Sequence, residues 1–139
     1  MDKRELEKRT KQFALRIIAF VATLPMGKIG DVIRYQLVKA GTSVGANYRE
    51  ANRAESRSDF IHKIGIVEKE ASETQYWLEI CDEAKFGDPE ATRLAAGRSR
   101  RTLSDFYKLR PDGQSRESLT IRYSKFAIRN QISCQSSVK

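Results

Sequence analysis

Between residues 60 and 81, Phe60, Ile64, Val67, Ala71, Thr74, Leu78 and Cys81 recur at alternating steps of four and three. That is a heptad seam, the pattern of long helices packed at shallow angles. Ile61, Trp77, Ile80 and Ala84 widen the apolar surface beyond a two-stranded seam. A helix over 57–85 therefore needs more than one neighbour to cover it.

Other segments supply the neighbours. From Asp2 to Leu24 there is no Gly or Pro, and Leu6, Phe13, Ile17, Phe20, Val21 and Leu24 return at helical spacing. Pro25 and Gly27 end that helix, expected over 2–24. Ile33, Leu37, Ala40, Val44, Tyr48 and Ala51 form the stripe of a second, over 30–53. Ser56, with Asp59 three residues on, caps the third. Asp88 before Pro89 caps a fourth, over 89–109. Period-two alternation occurs only in "SLTIRYSKFAIRNQIS", near the end. The expected fold is all-α: an antiparallel up-down four-helix bundle over 1–110, followed by a disordered basic tail over 111–139.

Gly41 and Gly45 interrupt the second helix, where each costs ~1 kcal/mol relative to alanine. In a bundle, small residues let two backbones come close. Gly41, Ser43, Gly45 and Ala46 would form a smooth patch for a neighbouring helix or a second subunit. Gln36, Ser43, Asn47 and Glu50 fall on one polar face of the same helix. They suit a buried hydrogen-bond network fixing register between helices, or a ligand site.

The chain of 139 residues carries a net charge of +8. Residues 1–96 hold 16 Lys and Arg against 15 Asp and Glu, whereas residues 97–139 hold 10 against 3. The excess is thus a property of the last third. In the body, Arg34, Lys39, Arg49, Arg53, Arg57 and Lys63 gather on the second helix, the turn after it and the start of the third. Repeated around a ring, such a patch would attract the phosphate backbone of RNA or DNA.

Enzymatic chemistry finds little support. His62 is the only histidine, so the paired Glu-x-x-His of a di-iron bundle is not available to Glu68, Glu70 and Glu73. There is no phosphate-cradling glycine loop and no Ser–His–Asp set. Tyr76 and Trp77 sit at helical spacing, as core or interface residues do. No cofactor is expected. "MDKRELEKRTK" is not a signal peptide, and the uncharged stretch Ile17 to Gly27 is shorter than the ~20 residues that span a bilayer. A cytoplasmic protein with reduced Cys81 and Cys134, and no membrane partner, is expected.

"RTKQFALRIIAFVATLP" and "QLVKAGTSVGANYREANRAESRSDFIHKIGIVEKEASETQYWLEI" together resemble the bacterial four-helix-bundle proteins named for genes in 23S rRNA intervening sequences. The resemblance rests on Gln36–Leu37, Ser43, Ala46–Asn47, Arg53, Arg57, Phe60, Glu70, Glu73 and Leu78, and covers about residues 5–86. It implies an antiparallel four-helix bundle that assembles as a homopentamer. A similar branch, the accessory proteins of diversity-generating retroelements, implies nucleic acid and a reverse transcriptase as partners. The function it implies is that of a non-enzymatic scaffold or accessory protein for nucleic acid. The alternative is a sequence-independent RNA- or DNA-binding protein acting with a reverse transcriptase.

After Glu90 the chain departs from that pattern. Arg98, Arg100 and Arg101 crowd where an apolar stripe is expected, and Pro111–Asp112–Gly113 stops the short stripe of Leu103, Phe106 and Leu109. Back-translated with allowed codons and read one base later, "GRSRRTLSDFYKLRPDGQS" can give "EEADELLAIFTSSVRTAKA", an amphipathic helix that looks like the family's fourth. This reading places a frameshift between about Glu90 and Arg98; the alternative is a divergent basic tail. It predicts that Arg98 to Leu109 form at most a short or loosely docked helix. The groove between the first and third helices would then stay partly open at Trp77 and Ile80.

Overall fold

Helix propensity and apolar periodicity agree along most of the chain, and four helices result. The computed structural model describes residues 2–107; the expected tail over 111–139 lies outside them. The helices are α1 (Lys3–Val21), α2 (Lys28–Ala51), α3 (Arg57–Glu83) and α4 (Pro89–Tyr107). Among the described residues there is no strand. None of these helices is long and apolar enough to cross a membrane.

Caps fix the boundaries. Ser56 Oγ accepts from the Asp59 N–H at 3.1 Å, while Asp59 Oδ2 accepts from the N–H of Glu55, one residue before the reciprocal partner expected. Asp88 Oδ2 accepts from the Ala91 N–H at 2.7 Å and starts α4. Helix α1 stops at Val21, three residues short of its expected end. Leu24 nonetheless remains buried in the turn that follows.

Connections of five or six residues join the helices. Five extended residues reach ~18 Å at most, about half the ~36 Å length of a helix of 24 residues such as α2. Successive helices must therefore run in opposite directions. Specific neighbours agree: Gly41 lies against Ile17, Gly45 against Thr10, and Asn52 against Glu7, so α2 descends as α1 ascends. Ser99 Oγ donates to the Ala71 carbonyl, and Thr92 lies beside Cys81, which gives α4 the opposite sense to α3. Each helix packs on its sequence neighbour, and α4 closes the bundle against α1.

The core is the one the periodicity implies. Leu6, Phe13, Ile17, Phe20 and Val21 of α1 meet Ile33, Leu37, Val44 and Tyr48 of α2 and Ile64, Val67, Ala71, Leu78 and Cys81 of α3. Phe60, the first seam residue, is only half-buried at the end of the stack.

Helix α4 departs from expectation. It is continuous for 19 residues and docked on both α1 and α3, not short or loose. The groove between α1 and α3 is covered, and Trp77 and Ile80 are half-buried. The reason lies in which side the arginines take. Arg98, Arg100 and Arg101 are all exposed, so none has to be buried unpaired. The inner side is held by Thr92, Ala95, Ser99, Asp105 and Phe106. Phe106 is fully buried and meets Tyr48 with ring centroids 5.4 Å apart. The fourth helix is thus degraded in the composition of its inner side, which is small and polar, and not in its length.

Candidate nucleic-acid interface

The six basic residues expected to form one patch separate into three groups. Arg34 does not face a ligand. Its Nε donates to the Val21 carbonyl at 3.2 Å, its Nη2 to the carbonyls of Leu24 and Pro25 at 3.0 and 3.3 Å, and its Nη1 pairs with Asp31 at 2.6 Å. These are carbonyls at and just beyond the end of α1, which has no basic residue in its last turn. Lys39 is exposed midway along α2. Arg49, Arg53 and Arg57 are exposed around the α2–α3 turn, and Lys63 follows farther along α3, paired with Asp59 at 3.7 Å.

The polar face of α2 makes no buried network between helices. Ser43 Oγ donates to the Lys39 carbonyl at 2.7 Å, and Asn47 Nδ2 to the Ser43 carbonyl at 2.9 Å, both within the helix. Gln36 is half-buried and Glu50 exposed. On α3, Glu70 and Glu73 are half-buried. Burial, and then the neighbouring Glu73, raise the Glu70 carboxyl above its ordinary range, with Lys69 and Lys39 opposing.

The glycines serve the α1–α2 contact. A Cβ at Gly41 would lie 2.9 Å from Ile17 Cγ1, and one at Gly45 would lie 3.4 Å from Thr10 Oγ1. The close neighbour is α1 of the same chain.

Two charged features were not anticipated. Arg9 Nη2 pairs with Asp105 Oδ2 at 2.6 Å, tying α1 to the end of α4. Beside this pair, Lys8, Arg9, Gln12 and Arg16 of α1 and Arg98, Arg101 and Thr102 of α4 line a groove of about 250 Å³ with Glu5 at its edge. Helical spacing in α1 could have shown Lys8, Gln12 and Arg16 to share a face. That α4 brings two arginines to the same place required the packing of helices that lie far apart in the chain.

His62 is exposed. Burial lifts the Cys81 thiol to about 11, where it is a poor nucleophile at neutral pH. No group of three or more His, Cys, Asp or Glu is placed to hold a metal ion among the described residues.

The family described as 23S rRNA-intervening sequence protein matches residues 3–106, from the start of α1 to the end of α4. The chain belongs to that family. The match runs about twenty residues beyond the limit expected from the motifs, into the arginine-rich part of α4. A crystal structure of an S23 ribosomal protein family member from Bacteroides thetaiotaomicron, a protein of unknown function, is similar in fold and sequence. It is 32% identical with a TM-score of 0.68, over 75% of this chain and 96% of that one. No curated protein matches the chain.

Proposed function

We propose that this member of the 23S rRNA-intervening sequence family is a non-enzymatic, self-assembling helical bundle that scaffolds nucleic acid. The observation that carries the assembly is the number of large apolar side chains left exposed on α1, on α2 and in the connection between them. Leu15 and Ile18 on α1, Met26 in the connection, and Ile29, Val32 and Tyr35 on α2 are all substantially exposed, Met26 to 89% and Tyr35 to 65%. Exposed apolar side chains in this number favour a partner that covers them. Helix α3 adds Tyr76, which is exposed, and Ile61 and Ile66, which are half-buried. Five copies in a ring is the number the family resemblance implies.

Exposed cations support the nucleic-acid part. Arg49, Arg53 and Arg57 carry no ion-pair partner among the described residues. Copied around a ring, three such residues become a band of charge with a cumulative, salt-sensitive pull on phosphates.

Analytical ultracentrifugation of the full chain tests the assembly, with Val32→Asp and Tyr35→Asp together as the variant. The expected result is an oligomer for the native sequence and a folded monomer for the variant. A native chain that sediments as a monomer at micromolar concentration overturns the reading.

A further inference from the structure

Lys8, Gln12 and Arg16 stand at successive steps of four on α1, so they form a ladder ~12 Å long. Across the groove from it stand Arg98 and Arg101, one turn apart on α4. Lys8, Arg16, Arg98 and Arg101 are all exposed, and none has an ion-pair or hydrogen-bond partner among the described residues. Arg9 differs: it is engaged with the buried Asp105. Glu5 is the single carboxylate on the lining.

Four uncompensated cations converging on one concave site repel one another, and that repulsion is relieved by an anion between them. The shape selects among anions. The cations lie along two parallel rows and not around a point, so a chain of charges fits better than a single ion. At ~3.4 Å of rise per nucleotide of a stacked strand, the α1 ladder spans three to four phosphates. Gln12 and Thr102 add hydrogen-bonding groups between the charges. Nothing in the lining offers an exposed aromatic face for a base, since Phe13 is buried in the core. The site is therefore built for backbone and not for sequence.

We infer that the α1–α4 groove is a phosphate-backbone site that binds a single strand of nucleic acid without regard to sequence. This rests on the nucleic-acid reading above and places the main contact on α1 and α4, away from the α2 residues that the sequence singles out. Arg49 at the end of α2 and Arg53 in the turn after it then contribute only as a flanking surface.

The test uses the full chain and a fluorescein-labelled 15-nucleotide oligouridylate, with anisotropy followed from low to physiological salt. Arg98→Gln with Arg101→Gln, and separately Lys8→Gln with Arg16→Gln, should each weaken binding about tenfold or more. Each should also make the dependence of log affinity on log salt shallower by ~1.4, because two fewer phosphates are neutralised. All four side chains are exposed, and an unchanged thermal unfolding curve shows that each variant is folded. Arg49→Gln with Arg53→Gln should weaken binding by less than threefold. If the native chain binds and the groove variants bind equally well, the groove is overturned while the nucleic-acid reading stands. If the native chain does not bind the strand at low salt, both fall.

Discussion

The Arg34 guanidinium donates to the carbonyl of Leu24, at 3.0 Å, from the neighbouring helix. With the Val21 and Pro25 carbonyls it fills the end of α1, where backbone acceptors have no intrahelical donors. The charge is also favourably placed at the negative end of the α1 dipole. Arg34 thus joins α1, the first turn and α2 into one unit. Replacing it with Ala should cost roughly 1.5–3 kcal/mol, the range for hydrogen bonds from a charged donor. Lysine should restore only part of this, because it cannot reproduce the guanidinium fork. Denaturant unfolding measures both. Affinity for the oligouridylate should not change in Arg34→Ala, and a loss of affinity without loss of stability would return Arg34 to the binding surface.

Gly41 marks the tightest approach of α1 and α2. A methyl group there must displace Ile17, which is fully buried. Alanine ordinarily stabilises a helix relative to glycine by ~1 kcal/mol. Here the overpacking, typically ~1–3 kcal/mol, should outweigh it and make Gly41→Ala destabilising. Gly45 has more room, and Gly45→Ala should be neutral or stabilising. Chemical denaturation of the pair separates the two positions. Equal gains in stability at both would show that the helix contact is looser than its geometry.

Glu70 gives the bundle a pH dependence. Its folded carboxyl lies above the ordinary value, through burial first and Glu73 second. The folded state therefore holds the proton more tightly than the unfolded chain. That contribution is fully present below the unfolded carboxylate value and is lost as pH rises through the raised folded value. Glu70→Gln removes the penalty. It should raise the melting temperature at pH 7 and leave it nearly unchanged at pH 4. A larger effect at pH 4 than at pH 7 would contradict the assignment.

The core was legible because burial on a helix follows its period. All six predicted stripe residues of α1, all six of α2, and six of the seven seam residues of α3 are buried. The candidate site was less legible. Arg34 looks like any surface cation, and only the fold brings it to carbonyls nine to thirteen residues away. The polar face of α2 is visible in the sequence, but whether Ser43 and Asn47 bond across helices or along their own depends on side-chain conformation, which periodicity does not carry. For α4, the number of arginines misled where their positions would not have. At 98, 100 and 101 they occupy the outer side of the helix, and that requires no buried charge.

The same distinction bears on the reading frame. The one-base-displaced translation places acids at 97, 98, 100 and 101, all of them exposed positions. It places alanine at 99, leucine at 102, alanine at 104, isoleucine at 105 and phenylalanine at 106, where Ser99, Asp105 and Phe106 are buried and Thr102 and Ser104 half-buried. Acids at 98 and 101 would also face Lys8 and Arg16, turning the cationic groove into an ion-paired seam. On this backbone the displaced frame would place apolar side chains at buried positions where the chain's own residues are polar, although the family match continues through residue 106 in the chain's own frame. Ser99→Ala, Thr102→Leu and Asp105→Ile together should stabilise the bundle by roughly 2 kcal/mol or more through added apolar burial, a rise of about 10 °C in melting temperature. Arg9, with its side chain one-third exposed, can turn to water when Asp105 is gone. The gene gives the direct test: codons from Gly97 onward that read "EEADELLAIF" one base later would make Arg98 and Arg101, and with them the cationic groove, products of a displaced frame. Codons that do not, or a triple variant less stable than the native chain, would show that the polar inner side of α4 belongs to the protein's design.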